Sequence, residues 1–239
     1  MGKKRECELK YKLQNINIKN QFIDKLISLG FIKNFSVLDT DFILDTESCQ
    51  CKINSFLFRI RYETDLSNDV SKIVYTFKIK NKSANIQDNL EIEFDSRSKS
   101  YKDLEVIIPE LYKITGIRLT ERDFLASDMV DIIHHMSLCG FSHCEIMQKK
   151  RDHYTNKIVH VEFDSFPNNV GLYMEIEAHS EDDLLSMVSA LNMNVIDMEK
   201  RNYGQIVLEN NNGKCVFDDK IIRLSGQDSV SALEILNMV

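Results

Sequence analysis

The stretch that decides the fold is Glu6-Cys7-Glu8-Leu9-Lys10-Tyr11-Lys12-Leu13, near the start of the 239-residue chain. Side chains alternate between the two faces of a β-strand, so every second residue shares a face. One face of this stretch therefore carries only charged side chains and the other only apolar ones. The alternation predicts a strand that packs its apolar face on a core and turns a fully charged face the other way.

The same two-faced pattern recurs along the chain. Five further segments alternate apolar and charged residues in this way: 56–63, 73–80, 90–95, 159–164 and 173–178. Two more segments, 35–45 and 142–151, have the composition of extended chain. Most of the connections are short, which is typical of hairpins. The sequence therefore predicts about eight strands in a mostly antiparallel sheet.

Four segments between the strands show the spacing of amphipathic helices instead. They are 18–29, 101–115, 127–138 and 181–191. Gly30, Gly116 and Gly140 follow three of them as helix-ending glycines, and Ser180 is a candidate N-cap for the fourth. We therefore predict an α+β fold, an eight-stranded antiparallel β-barrel with amphipathic helices packed outside.

The charged strand faces are sorted by sign. Arg59 with Arg61 and Lys78 with Lys80 are purely basic pairs, whereas the Glu-x-Glu pairs at 6–8, 91–93 and 175–177 are purely acidic. The ordinary interpretation of a polar strand face is that it meets solvent. Neighbouring rows of like charge repel, however, unless opposite charges or a bound ion compensate them. With helices available to cover an apolar outside, the pattern favours a barrel with a charged interior.

A charged interior of this kind is suited to binding a divalent cation and phosphate groups. Paired carboxylates form a hard oxygen site suited to Mg²⁺ or Mn²⁺, and arginine and lysine side chains hold phosphate oxygens. We predict a metal side formed by seven carboxylates: Glu6, Glu8, Glu91, Glu93, Asp164, Glu175 and Glu177. We predict a phosphate side formed by seven cations: Lys10, Arg59, Arg61, Lys78, Lys80, Lys149 and Arg151. Glu8 and Lys10 are the predicted catalytic residues.

Composition and short motifs argue against several other classes of protein and binding site. The net charge of −7 argues against a nucleic-acid coat, because such proteins need a basic face. The sequence has no run of about 18 apolar residues and no signal-peptide pattern, so we expect a cytoplasmic protein without a membrane partner. Cys49-Gln50-Cys51 has no second ligand pair at a usual zinc spacing, and His134-His135 does not supply one. No glycine-rich phosphate loop is present.

The first motif, Glu6 to Lys10, resembles the Glu-x-Glu-x-Lys signature of the CYTH superfamily, the triphosphate tunnel metalloenzymes. Later segments resemble the motifs of that family in the same order: 57–61, 76–78, 91–93, 149–154, Asp164 and 171–177. The resemblance covers roughly residues 4–208. It implies an eight-stranded antiparallel tunnel, a divalent metal and a triphosphate substrate. It also implies that Glu6, Glu8, Glu175 and Glu177 lie on the metal side.

The chain also departs from the family pattern. Asn89 stands where the family has an arginine, and the segment 96–122 is longer than the family pattern leads us to expect. We therefore expect a tunnel domain over residues 1–210 with an insertion at about 96–122. The tail 211–239 has no role that the sequence indicates, although we expect a strand near Ile221 and a helix from Ser229.

Members of the family follow two kinds of chemistry, and both stay open here. The segment 199–208 resembles the ending of class IV adenylyl cyclases, which favours conversion of ATP to cyclic AMP and pyrophosphate. The alternative is a triphosphatase that hydrolyses tripolyphosphate or thiamine triphosphate, and a third is a non-catalytic polyphosphate or nucleotide binder. The expected partner is thus a small triphosphate, with an RNA 5′-triphosphate end as the only nucleic-acid candidate. A homodimer is left open.

Overall fold

The structure is a computed structural model, and it describes residues 4–80, 87–96, 103–125, 128–167, 170–210, 216–217, 220–221 and 223–224. Eight long strands account for most of the sheet: β1 (Lys4–Leu13), β2 (Ile32–Asp45), β3 (Phe56–Asp65), β4 (Ser71–Lys80), β5 (Gln87–Asp95), β6 (His143–Thr155), β7 (Val159–Phe166) and β8 (Gly171–Ala178). The helices are α1 (Ile16–Ser28), α2 (Gln50–Ile53), α3 (Leu104–Thr115), α4 (Met129–Cys139), α5 (Glu181–Ala190) and α6 (Tyr203–Asn210), with 3₁₀ turns at Glu121–Phe124 and Val195–Asp197.

The eight strands pair in a ring. Their order is β6-β2-β3-β4-β5-β1-β8-β7, and β7 pairs with β6 again, so the hydrogen-bonded order returns to its start. Every pair in this ring is antiparallel. This confirms the predicted antiparallel barrel with helices around it. Closure matters for function because it encloses one face of every strand in a lumen.

The apolar core lies outside the barrel wall. One cluster packs β2 to β6 against α3 and α4, and includes the fully buried Phe58 and Met136. A second cluster packs β1, β7 and β8 against α1 and α5, and includes the fully buried Ile176 and Leu26. Burying each large side chain of this kind stabilises the fold by about 1.5–3 kcal/mol. Because helices bury the apolar faces of the strands on the outside of the barrel, the charged faces line the lumen.

The predicted helices are present with shifted ends. α1 begins at Ile16, two residues before the predicted start, because the Asn15 side chain accepts hydrogen bonds from the backbone N–H groups of Asn17 and Ile18. The Ser180 side chain caps α5 as predicted. Gly140 ends α4 with a positive φ of 113°, a conformation that favours glycine. The sequence analysis assigned no helix to 203–210, where the structure has α6.

The tail contributes short strands beside the first half of β6, which β7 does not pair with. β9 (Val216–Phe217) and β11 (Arg223–Leu224) pair with β6, and β10 (Lys220–Ile221) pairs with β9. The strand predicted near Ile221 thus coincides with β10. The helix predicted from Ser229 lies outside the described residues. Within those residues, no helix has the length and hydrophobicity that a membrane crossing requires.

A buried ion pair joins α1 to the barrel, and we expect it to contribute to the stability of the fold. Lys19 of α1 donates to Asp152 of β6 at 2.6 Å, and Ser36 donates to the other carboxylate oxygen at 2.6 Å. Replacing Asp152 by Ala leaves Lys19 buried without its partner, so we expect a loss of about 3–5 kcal/mol in the free energy of unfolding. Urea denaturation measures this loss. Lys33→Ala is the matched control, because Lys33 contacts the same carboxylate at 3.0 Å from an exposed position.

The control should change the free energy of unfolding by less than about 1 kcal/mol, as exposed ion pairs do. A loss from Asp152→Ala no larger than that of Lys33→Ala would contradict the prediction.

Candidate functional site

The barrel lumen holds a cavity of about 680 Å³. Its walls combine carboxylates and cations from the inward faces of the strands. The charged residues that line it include Glu8, Lys10, Arg59, Arg61, Lys78, Glu91, Glu93, Lys149, Arg151, Glu162, Glu175 and Glu177. Most of the predicted site residues are therefore brought together in one enclosure, although their positions in the sequence range from 8 to 177.

Three carboxylates converge on one side of the lumen. Glu162 of β7 lies directly opposite Glu175 of β8 in the strand pairing, and Glu177 is the next inward residue of β8. One oxygen from each of the three lies within 4.8 Å of the others. Burial raises the pKa of Glu162 to about 7, and the neighbouring Asp164 and Glu175 carboxylates add to the shift although Arg151 opposes it.

This carboxylate cluster fits a divalent cation. Carboxylate oxygens are the hard ligands that Mg²⁺ and Mn²⁺ take. Burial is the main cause of the raised pKa of Glu162, and the neighbouring carboxylates Asp164 and Glu175 raise it further, so its ionised form is disfavoured without an added positive charge. A divalent cation among Glu162, Glu175 and Glu177 would supply the missing positive charge.

Lys149 and Arg151 are held by one wholly buried carboxylate. Asp164 accepts hydrogen bonds from Lys149 Nζ at 2.8 Å and from Arg151 Nε and Nη2, both at 2.7 Å. Arg151 Nη2 also donates to Glu175 at 3.0 Å, and Arg151 forms a further ion pair with Glu162. Although burial acts in the opposite direction, Arg151 and Lys149 lower the pKa of Asp164 below its ordinary value. Arg151 therefore connects the carboxylate cluster to the row of cations.

A second buried acidic pair holds Arg61. Asp41 accepts from Arg61 Nε at 2.6 Å and from Nη2 at 3.2 Å, and Asp39 lies 3.3 Å from Arg61 Nη1. Asp39 and Asp41 raise the pKa of Arg61 above its ordinary value, although burial alone would lower it. Arg59 lies within 3.5 Å of the same Asp41. The two arginines of β3 are thus fixed by counter-ions in the barrel wall.

The remaining predicted residues lie on the β1, β4 and β5 side. Lys78 donates to Glu8 at 2.7 Å and contacts Glu91 at 3.2 Å. Glu93 accepts from Arg59 at 3.2 Å, and its side chain is 42% exposed. The structure thus places Glu91 and Glu93 against cations. Among the predicted residues, the side chains of Glu6 and Lys80 lie outside the described residues.

Tyr203 of α6 covers two of the cations. Its ring centroid lies 3.9 Å from Lys10 Nζ and 4.7 Å from Lys149 Nζ. Lys10 also contacts Glu175 at 3.2 Å. The hydroxyl of Tyr203 is buried and its pKa is raised by that burial. α6 therefore places an aromatic face against the lumen beside the carboxylate cluster.

Sequence reasoning missed several functional candidates. Asp39 and Asp41 form an i, i+2 acidic pair like the Glu-x-Glu pairs, but they lie in a segment interpreted only as extended chain. Glu162 was assigned to the charged face of its strand and left out of the metal set. Tyr203 lies within the 199–208 motif, which was used only to compare branches of the family. Lys12, which the alternation places on the charged face of β1, is exposed.

Comparison with protein families agrees with this geometry. The model of the CYTH domain matches residues 4–195. The chain belongs to the CYTH family. Members of the CYTH family bind triphosphates with divalent metal ions. A comparison with curated proteins gives no match.

Solved structures show the same fold at low sequence identity. A "putative adenylate cyclase" from Vibrio parahaemolyticus is similar with a TM-score of 0.56 and 12% identity, over 86% of this chain and 98% of that one. A protein from Pyrococcus horikoshii gives 0.54 and 19%, over 85% and 98%. A "putative adenylyl cyclase" from Hippeastrum, described as having a dominant triphosphatase activity, gives 0.50 and 14%, over 90% and 99%. At such identities the likeness establishes the fold alone.

Proposed function

We propose that this CYTH protein is a divalent-metal-dependent enzyme that acts on a triphosphate-containing substrate inside the barrel lumen. The observation that carries the proposal is the position of Arg151. It contacts Glu162 and Glu175 of the carboxylate cluster and also shares Asp164 with Lys149. A cation site and a phosphate site that share a residue in one cavity suit a substrate that binds as a metal complex.

The metal side is formed by Glu162, Glu175 and Glu177. When bound, Mg²⁺ or Mn²⁺ neutralises the charge that develops on the phosphoryl oxygens. Glu8 lies opposite Glu177 in the β1–β8 pairing, and we propose it as a further carboxylate on this side. Glu6 keeps its assignment to the metal side from the sequence.

The phosphate side is formed by Lys10, Arg59, Arg61, Lys78, Lys149 and Arg151. The arginine forks match phosphate oxygens in a bidentate manner, and the lysines act as point charges. The buried carboxylates Asp39, Asp41 and Asp164 keep these side chains in place before substrate arrives. Such fixed cations stabilise charge on the substrate without reorganising during the reaction.

For the reaction itself, we propose cyclisation of ATP to cyclic AMP and pyrophosphate as the first candidate. The 199–208 motif supports it, since that segment resembles the ending of class IV cyclases. The cavity of about 680 Å³ falls in the range of pockets that enclose drug-sized ligands, so it has room for more than a phosphate chain. In this reaction the ribose 3′-hydroxyl attacks the α-phosphorus and pyrophosphate leaves.

Triphosphate hydrolysis is the second candidate. The Hippeastrum protein, which shares the fold, is described as having a dominant triphosphatase activity. Both reactions use the same cations and carboxylates, and they differ in the nucleophile.

A product assay distinguishes the candidates. Purified protein with Mg²⁺ or Mn²⁺ receives ATP, tripolyphosphate or thiamine triphosphate, and anion-exchange chromatography separates the products. Cyclic AMP with pyrophosphate supports the cyclase, and orthophosphate without a cyclic product supports the triphosphatase. Tight metal-dependent binding without turnover would contradict both and leave a binding module. Glu177→Gln should lose whichever activity appears.

Metal removal should weaken substrate binding strongly and abolish turnover. Among the described residues, the lining carboxylates and cations named above are equal in number, and the buried Asp39, Asp41 and Asp164 behind them add further negative charge, so a polyphosphate chain alone meets net repulsion. We expect calorimetric titration with tripolyphosphate to give an affinity at least about 100-fold weaker in EDTA than with Mg²⁺, roughly 2.7 kcal/mol. Equal affinity with and without the metal would contradict the prediction.

A further inference from the structure

A second cluster of metal-ligating side chains lies on the outside of the barrel. Asp123 belongs to the 3₁₀ turn Glu121–Phe124, and His135 and Cys139 lie one helical turn apart on α4. The ligand atoms of the three residues all lie within 4.8 Å of one another. None of the three lines the lumen cavity. The cluster is therefore separate from the proposed active site.

The cluster is held in place before any ligand binds. Asp123 Oδ2 accepts hydrogen bonds from the backbone N–H of Thr120 at 2.6 Å and from its hydroxyl at 2.9 Å. The other oxygen, Oδ1, lies 2.7 Å from Nε2 of His135. Cys139 Sγ lies 3.5 Å from the same nitrogen. Because one carboxylate oxygen is fixed by the turn, the second is directed at the helix.

The donor set has the chemistry of a zinc site. Imidazole nitrogen, thiolate sulfur and carboxylate oxygen are the ligands that Zn²⁺ takes in tetrahedral sites. Bonds of about 2.0 Å to nitrogen and 2.3 Å to sulfur separate tetrahedral donors by roughly 3.3–3.6 Å. The His135–Cys139 separation already has this value. The shorter His135–Asp123 separation needs to open by only about half an ångström.

We propose that Asp123, His135 and Cys139 bind Zn²⁺, with water in the fourth position. All three side chains are partly exposed, so the ion and the water can reach the site from solvent. Bound zinc links the 3₁₀ turn to α4 across residues that pack on the barrel through Phe124 and Met136. The sequence did not reveal this set, because Asp123 is twelve residues from His135 and matches no usual ligand spacing.

Cobalt(II) substitution tests the site, because a thiolate ligand gives Co²⁺ a near-ultraviolet charge-transfer band. The full chain is titrated with Co²⁺ alone, and Zn²⁺ is then added. We expect one equivalent of Co²⁺ to produce the band and one equivalent of Zn²⁺ to remove it. Cys139→Ser should lose the band, and His135→Ala should weaken Co²⁺ binding at least about tenfold.

Two controls separate this site from others. Cys49→Ser removes another partly exposed thiol and should leave the band unchanged. Glu175→Gln alters the lumen cluster and should also leave it unchanged. Cys139→Ser should retain triphosphate turnover, so failure of the zinc site and failure of the proposed function are distinguishable. No thiolate band in the unaltered protein, or a band that survives Cys139→Ser, would overturn the proposal.

Discussion

Replacing Arg151 by Ala should lower kcat/KM for the triphosphate substrate by at least about 10³-fold, a loss in the range of arginines that stabilise phosphoryl transfer. Arg151 is the residue that contacts both Glu175 of the carboxylate cluster and Asp164 beneath the cations. Its removal takes away a cation that we propose as a phosphate ligand. It also leaves buried carboxylates with less positive charge, so we expect about 3–5 kcal/mol less stability. Turnover must therefore be measured per folded molecule, with urea denaturation beside it.

One variant at position 151 separates the effect of charge from that of side-chain shape, and one at the neighbouring position 150 is the control. Arg151→Lys keeps the positive charge and should fold, but it loses the planar fork, so we expect a fall of at least about tenfold in kcat/KM. Lys150→Ala changes the adjacent, exposed cation on the opposite face of β6 and should leave activity unchanged. If Arg151→Lys were fully active, the fork would have no role and the proposed phosphate contact would be wrong.

Replacing Glu175 by Gln should have the second largest effect. Glu175 belongs to the carboxylate cluster and also contacts Lys10 at 3.2 Å and Arg151 at 3.0 Å. Lys10 and Arg151 lower the pKa of Glu175 although its burial opposes them, so the side chain is ionised at neutral pH. The amide has nearly the same shape but lacks the negative charge that we propose to bind the cation. We expect Mg²⁺ affinity to fall about 10–100-fold and turnover about 10²–10³-fold.

Glu181→Gln is the matched control for this prediction. It makes the same chemical change at the exposed first turn of α5, shortly after β8 in the chain. Calorimetric Mg²⁺ titration and kinetics at saturating metal together measure the effect. Full Mg²⁺ affinity in Glu175→Gln would show that the cation binds elsewhere.

The fold was predictable from the sequence because alternation is a local signal. Six of the eight long strands show their apolar and charged faces within about eight residues, as in 56–63 and 173–178, whereas 35–45 and 142–151 showed only the composition of extended chain. Barrel closure followed from the charges, since buried rows of like charge need partners across a lumen. Helix ends were less predictable, because α1 starts two residues early where the Asn15 side chain caps it.

The partners of the charged residues were not predictable, because they depend on strand register. Asp39 of β2 lies opposite Lys149 of β6, more than a hundred residues away in the chain. The period-2 pattern indicates that both face inward but not that they meet. The same limit applies to Asp164, which was predicted on the metal side and which the structure places beneath Lys149 and Arg151.

The buried cations of the lumen need counter-ions, which is why many carboxylates surround them. A buried arginine or lysine without a counter-ion is destabilising by several kcal/mol. Asp39 and Asp41 are the counter-ions of Arg61. Asp164 forms an ion pair with Arg151, and Glu8 forms one with Lys78. The phosphate side can therefore exist in the absence of substrate. In the proposed function, the acidic pair in β2 holds the phosphate-binding Arg61 in place although it carries the same charge as the substrate.

Anomalous diffraction from crystals grown with Mn²⁺ and tripolyphosphate tests the central claim most directly. The account predicts a manganese peak among Glu162, Glu175 and Glu177, with phosphate density along the lumen in contact with Arg151, Lys149 and Arg61. Manganese outside the lumen, or phosphate density bound only at the outer surface while the lumen stays free of it, would contradict the assignment of the lumen as the triphosphate site.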